Sequence, residues 1–428
     1  MIRATRAFTL VLDGTPYDEW TSAEVTRDIE DMTGSFRFEL RDGARNWAAF
    51  PFATLGRYGN KVALGLEAKV YVSGELVLVG WVDTLSPAAG QDGARVSVSG
   101  SDKARDLIDG AATVEGPSEF RRKTMDEIGR EVVRPYGLEW RSEVDVGEPF
   151  ERYVLEPGET ALSALEKGLR QRGGLLTSDG VGGLVVTRTG ARRAPSPLRF
   201  PGNLLGSSGE FSAEGRHSEY HVKGQAEAAG GKRRKRAKHN AKQSPLDSTA
   251  QPLFARALFA PALAMNHPAW IDAQLEHEMA GVGIWGRARD EEMRRYRPLV
   301  TLGRTQLTDD GAQCQAEWME RTSRGSAESL DYEVKGYRGE SGELWRPNEI
   351  SAVSDAFLDV DRDMLIAGVT YRYSEDGGEV TALRVTSPDA YDREPVGGRR
   401  TNRQGQHKGR KRGSSGHSGP LDSTARPL

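Results

Sequence analysis

The stretch EAKVYVSGELVLVGWVDTL, residues 67–85, constrains the fold more tightly than any other part of the chain. Two runs rich in β-branched residues flank Ser73-Gly74, the kind of pair that a tight reversal between antiparallel strands demands. The signature recurs on both sides. AFTLVL (7–12) runs into the turn DGTPY, and SAEVTRDIED (22–31) is followed by GSFRFELRD (34–42), where Phe36, Phe38 and Leu40 alternate with polar residues. ARVSVSGSD (94–102) adds another strand. Consecutive short strands over residues 7–100 predict an antiparallel barrel or sandwich, with Trp20 and Trp81 in its core.

Helical signals then take over. KTMDEIGREVVRPYG places Met125, Ile128, Val132 and Val133 on one face, capped by Thr124 and stopped by Pro135 and Gly137. EPGETALSALEKGLRQRGG repeats the plan, with Thr160 as N-cap, Leu162, Leu165 and Leu169 on one stripe, and Gly173-Gly174 as the stop. LLTSDGVGGLVVTR reads as a Gly-rich hairpin; its glycines precede a strand, whereas a phosphate loop precedes a helix. Strands return at FSAEGRHSEYHVKGQ. DDGAQCQAEWMERTSRG is a helix led by acids and closed by Gly325, HPAWIDAQLEHEMAG a shorter one, and SEDGGE the tip of a late hairpin.

The expected class is α+β and β-rich: two antiparallel β-barrel domains, a small α/β module between them, and extended basic arms. The expected divisions are a first barrel over 1–100, the α/β module over 101–195 and return strands over 196–225. An insertion with a basic arm follows over 226–289, then a helix plus second barrel over 290–395 and a basic C-terminal arm over 396–428. With 428 residues the chain has room for roughly two to four domains of about 100–200 residues each.

Charge is distributed unevenly. Residues 232–242 hold seven Lys/Arg and no acid, and residues 396–428 hold eight Lys/Arg against the single Asp422. Without those two segments the chain has 44 basic and 61 acidic residues, a formal charge of −17. An acidic body therefore carries two basic appendages, suited to an acidic protein surface, to nucleic acid, or to folding back on the body or a neighbouring copy. Each appendage ends in the same peptide. PLDSTAQPL ends at Leu253 and PLDSTARPL at Leu428, with eight of nine residues identical. The candidate partner-binding residues are Lys232, Arg233, Arg234, Lys235, Arg236, His239, Pro245, Leu246 and Asp247 in the first arm. In the second they are Arg410, Lys411, Arg412, His417, Pro420, Leu421 and Asp422. Both basic runs lack the aromatic residues that stack nucleic-acid bases.

The residues give no catalytic or metal constellation. Cys314 is the lone cysteine, so neither an intrachain disulfide nor a thiol cluster is available, and assembly in a reducing cytoplasm is expected. LEHEM around His277 lacks the second histidine of a zinc-protease helix, and carboxylate pairs among 62 acids carry no information. No catalytic residue and no cofactor is expected. Neither a secretory signal nor an 18-residue apolar run is present, so no membrane is expected as a partner. The Gly-Glu-Thr turn at 158–160 resembles part of a LysM glycan-binding motif, yet serves equally as a helix cap. In LWRPN, Trp345 and Arg346 are either an exposed anchor or, with Trp345 buried, part of a barrel closure.

Six segments in order resemble the Mu-like baseplate hub proteins of contractile-tailed phages, part of the tail hub group that includes type VI secretion spike bases. They are VLDGTPYDEWTSAEVTRDIEDMTGSFRFEL, GWVDTLSP, VSGSDKARDLIDGA, EPGETALSALEKGLRQRGGLLTSDGVGGLVVTR, SEYHVKGQ and GELWRPNEISAVSDAFLDVDRDMLIAGVTYRYSEDGGEVTALRVTSPDAY. LWRPN followed by DMLIAGV is the most specific. The resemblance implies a structural protein of the virion: a homotrimeric ring with two barrels per subunit, between a hexameric tail tube or tube-terminal protein and a trimeric spike. Wedge subunits surround such a ring, and DNA is only cargo in its channel. A type VI or tailocin spike base is the nearest alternative, and a peptidoglycan-binding or cell-wall-degrading tail protein a more distant one. Residues 226–290 and the basic tail depart from the family's pattern.

Overall fold

Alternating side chains build the first strands: β1 (Phe8–Leu12), β2 (Thr15–Tyr17), β3 (Ser22–Asp28), β4 (Ser35–Asp42), β5 (Glu67–Val72), β6 (Glu75–Gly90) and β7 (Gly93–Asp102). The computed structural model describes residues 7–17, 20–42, 63–90, 93–172, 174–224, 284–303 and 309–392. Phe8, Leu10 and Leu12 of β1 and Phe36 and Phe38 of β4 are buried, as a period of two requires. At the β5–β6 reversal Ser73 has φ +50° and Gly74 φ +79°, the left-handed pair whose twist matches paired strands.

The small α/β module follows, with α1 (Asp106–Asp109), β8 (Glu119–Phe120), α2 (Met125–Val133), β9 (Glu139–Ser142), β10 (Tyr153–Val154), α3 (Ala161–Arg172), β11 (Leu175–Ser178) and β12 (Gly183–Thr187). Helix α2 starts where its cap satisfies two orphan donors. Thr124 Oγ1 accepts from the Glu127 N–H at 3.2 Å, and the Glu127 carboxylate accepts from the Thr124 N–H at 2.8 Å. Thr160 Oγ1 likewise accepts from the Ser163 N–H ahead of α3. Met125, Ile128, Val132, Leu165 and Leu169 form a core with Trp140, separate from the main one, and Leu162 is only partly buried beside it.

The β11–β12 turn fastens this module to the first strands. The Val79 N–H of β6 donates to Gly180 O at 2.7 Å, and Arg27 Nη2 of β3 donates to Ser178 O at 3.0 Å. Gly180 has φ +81°, and a Cβ there would lie 2.5 Å from Val77 O. Only glycine fits so close an approach.

The remaining elements are β13 (Arg192–Arg193), β14 (Leu198–Phe200), β15 (Leu204–Phe211), β16 (Glu219–Gly224), β17 (Ile284–Arg289), β18 (Pro298–Leu302), α4 (Asp309–Ser326), β19 (Glu328–Lys335), β20 (Glu349–Asp355), β21 (Val360–Ser374) and β22 (Gly378–Thr386). Strands from both ends of the chain share one hydrogen-bonded sheet in the order β15-β19-β22-β21-β3-β4-β7-β6-β5-β1-β2. The joint is β21 against β3, antiparallel from Gly368↔Asp28 to Ser374↔Ser22. Strand β20 branches from β21 and carries β13 and β14 in parallel. The β-rich α+β class is as expected, whereas the sheet is an open path that closes into no barrel among the described residues.

One core fills both ends of this sheet. Phe8 meets Phe38 edge-on at 6.0 Å and Tyr337 at 5.3 Å, and Tyr337 meets Tyr371 at 6.0 Å. Trp345 is 1% exposed, which resolves LWRPN towards a buried tryptophan, and the Tyr371 hydroxyl donates to its carbonyl. Trp20 is buried as expected, but Trp81 is not. Leu78, Gly80 and Val82 take the core face of β6, so Trp81 takes the other. Its Nε1–H donates to Asp106 Oδ2 at 3.0 Å, with Lys103 Nζ 5.2 Å above the ring.

Candidate docking surfaces

Strands β16, β17 and β18 form a small sheet in which β16 is central. Helix α4 packs on it through Val222, Ala312 and Ala316. At Gly286 the contact is backbone to backbone, since a Cβ there would lie 2.1 Å from Ala312 O. The Gln313 side chain completes the joint, accepting from the Arg287 N–H at 3.0 Å and donating to Arg287 O at 2.8 Å.

Ion pairs pin this subdomain from within. Glu219 is fully buried, with His221 Nε2 at 2.9 Å and Arg287 Nη2 at 3.0 Å from its two oxygens. Arg216 grips buried Asp290 through Nε and Nη2 at 2.7–2.9 Å and reaches Glu292 at 2.9 Å. Buried charges are tolerable only when paired so closely, and loss of one partner costs far more than loss of both.

Both stretches that carry the basic runs leave from this subdomain. Gly224, at the end of β16, pairs with Ile284, at the start of β17, so the intervening 225–283 begins and ends at one rung of the ladder. At the other exit the chain returns along α4 after β22. Gly325 lies against Ala390, Trp318 Nε1–H donates to Asp392 O at 2.8 Å, and Arg321 pairs with Asp392 at 2.9 Å. All the candidate partner-binding residues, from Lys232 to Asp247 and from Arg410 to Asp422, lie outside the described residues, as do His277 and the helix expected over 267–281.

Other features were not singled out by the sequence. Glu75, just past the β5–β6 turn, holds Arg338 at 3.4 Å and Arg346 at 2.5 Å, tying the first strands to the loop that precedes β20. A polar groove of about 630 Å³ crosses the outer face of β3, β4, β6 and β7. Its floor includes Thr26, Ser35, Ser99 and Ser101, beside Asp83 and Asp106. A cavity of about 130 Å³ lies between the α/β module and the start of β20, walled by Arg27, Arg141, Arg192, Arg346 and Glu349. Burial pushes the Glu349 carboxyl up to about 7, against the pull of Arg346. Among the described residues no group of three or more His, Cys, Asp or Glu side chains is placed to hold a metal, and no helix is long and apolar enough to cross a membrane.

The described residues thus combine one sheet assembled from both ends of the chain with an inserted α/β module. Three domain families match successive stretches. Residues 7–102 match the N-terminal domain of Mu phage baseplate assembly protein GpP-like proteins, 104–188 the second domain of baseplate hub protein gp44-like proteins, and 308–394 the fourth domain of Mu phage baseplate assembly protein GpP. Baseplate hub protein gp44 of Escherichia phage Mu is 27% identical over 401 residues, covering 93% of this chain and 92% of gp44. The crystal structure of the 43 kDa tail protein of prophage MuSo2 from Shewanella oneidensis is similar with a TM-score of 0.68 and 29% identity, over 90% of this chain and 99% of that one. A tail protein from Neisseria meningitidis MC58 shares the fold with a TM-score of 0.64 and 18% identity, over 90% and 98% of the two chains. The chain resembles Mu-like baseplate hub proteins along most of its length, and its role is structural, that of a baseplate hub.

Proposed function

We propose that this hub works as a homotrimeric ring in the virion, joining the hexameric tail tube or a tube-terminal protein to the trimeric spike. It assembles in the host cytoplasm. The observation that carries the reading is the run of three hub-domain matches in chain order, on a fold similar to a Mu-type tail protein along nine-tenths of its length. Two barrel-like units per subunit, one around β3–β7 and one around β19–β22, would give three chains six similar faces. The β3–β21 pairing supports this by setting the two units side by side. Binding rests on surface complementarity in large interfaces, not on bond making. The formal charge of −17 outside the arms would keep DNA, present only as cargo in the axial channel, from adhering to the wall.

The duplicated arms supply the contact with wedges. Three chains carry six PLDSTA peptides, one for each of six wedge subunits around a threefold core. Each basic run sits in an acidic groove of a wedge, with Pro245 or Pro420 restricting the peptide and Leu246 or Leu421 anchoring it. That both arm-bearing segments leave from the subdomain of β16, β17 and α4 supports a shared role. Removing residues 413–428 is expected to reduce wedge attachment in a pull-down while leaving the trimer and the spike contact intact. Normal wedge assembly around hubs that lack both peptides would refute the role given to the arms.

A further inference from the structure

Phe357 is 71% exposed and Phe211 60% exposed. Phe211 and Leu358, the residue after Phe357, flank the same spot, since a Cβ at Gly209 would lie 3.2 Å from both the Phe211 ring and the Leu358 side chain. The turn that presents Phe357 is held in place. Asp355 Oδ1 accepts from the N–H groups of Phe357 at 2.8 Å and Leu358 at 3.1 Å, and Oδ2 accepts from the Ser207 hydroxyl. The Ala356 N–H donates to Phe200 O at 3.0 Å. An exposed aromatic on so constrained a turn loses little freedom on docking, the property of an interface anchor. Exposed acids follow Phe357 along the chain, Asp359 and Asp361, and Arg362 beside them is engaged by Glu328. Such a surface fits an extended segment that carries apolar anchors and cations.

The chain has such a segment within reach. Strand β22 ends at Thr386, paired with Ser329 of β19, and the adjoining Glu328 pairs with Phe211. Two strand spacings, about 10 Å, therefore separate the end of β22 from the patch. Beyond Asp392 come residues 393–428, with Arg410, Lys411 and Arg412 and then Leu421 and Leu428. The stretch from Asp392 to Arg410 spans up to about 60 Å when extended, ample for the return. A tether of this kind holds its end at an effective concentration on the order of millimolar, so a weak contact suffices.

We propose that the C-terminal segment docks on its own chain at the surface of Phe211, Phe357 and Leu358, with Arg410–Arg412 against Asp359 and Asp361 and Leu421 against the rings. The inference rests on reading this segment as a docking arm: the patch holds it until a tail partner competes for it. The test places photoreactive p-benzoylphenylalanine at position 357 of the full chain, mixed from heavy- and light-isotope pools, and maps the cross-links by mass spectrometry. The expected product joins position 357 to residues 405–428 of the same chain. Its yield should fall about fivefold or more in the Asp359→Lys/Asp361→Lys variant, the equivalent of losing about 1 kcal/mol. Cross-links to another segment, to a second chain, or to none would overturn the proposal. Wedge attachment separates this result from the preceding reading. Phe357→Ser with the arm intact should still bind wedges, whereas removal of residues 413–428 should not bind them well.

Discussion

Glu349 shows how one side chain at a junction sets a pH dependence. Its Oε2 is buried with no hydrogen-bond partner beside a cavity whose walls come from three parts of the chain. Burial raises the carboxyl from an ordinary 4.5 to about 7 in the fold. Below pH about 4.5 the group is protonated folded and unfolded, and it costs nothing. Between pH 4.5 and 7 the unfolded chain releases the proton first, so stability is lost as pH rises, and above about 7 the loss is complete. Replacing Glu349 with Gln should leave stability at pH 4 nearly unchanged and raise it at pH 8 by roughly 1–3 kcal/mol, measured by urea unfolding. An equal effect at both pH values would contradict the account. At this scale much was legible beforehand. Thr124 with Glu127 three residues on, and Ser73-Gly74 between β-branched runs, are local signals, and both hold. Trp81 was misplaced because every residue in the run 76–82 is apolar or glycine, which hides the alternation that decides which face is the core.

Among the elements, the packing of α4 on β17 depends on a missing side chain. Gly286→Ala would drive a methyl into the backbone at Ala312 and Gln313. Overpacking of this kind costs about 1–3 kcal/mol. Hydrogen exchange should quicken in residues 219–224 and 309–326 while β3 and β4 stay protected, and unchanged exchange in α4 would show that the contact is slack. The sequence displays α4 through its acidic start and Gly325, yet conceals its seat. The charged residues that brace the seat, Glu219 and Asp290, look ordinary until the fold buries them against Arg287 and Arg216. The strand Ile284–Arg289 was equally hidden, since it lies within the stretch that composition marks as an insertion. Without the ladder to β16, nothing in IWGRAR separates it from the residues before it.

For the whole molecule, the pairing of β3 with β21 decides the architecture. Thr26 and Thr370, 344 residues apart, approach to 3.1 Å across it. Local pattern cannot express such a contact, so the sequence divides the strands into two units without revealing that they share one sheet. The family was legible because its motifs run in order along the chain. A reconstruction of the assembled baseplate is the most direct test of the hub account. It should show three copies of this chain around the tail axis between tube and spike, with Pro245 and Pro420 at equivalent sites on adjacent wedges. Copies lying off the axis, or in a number other than three, would contradict it.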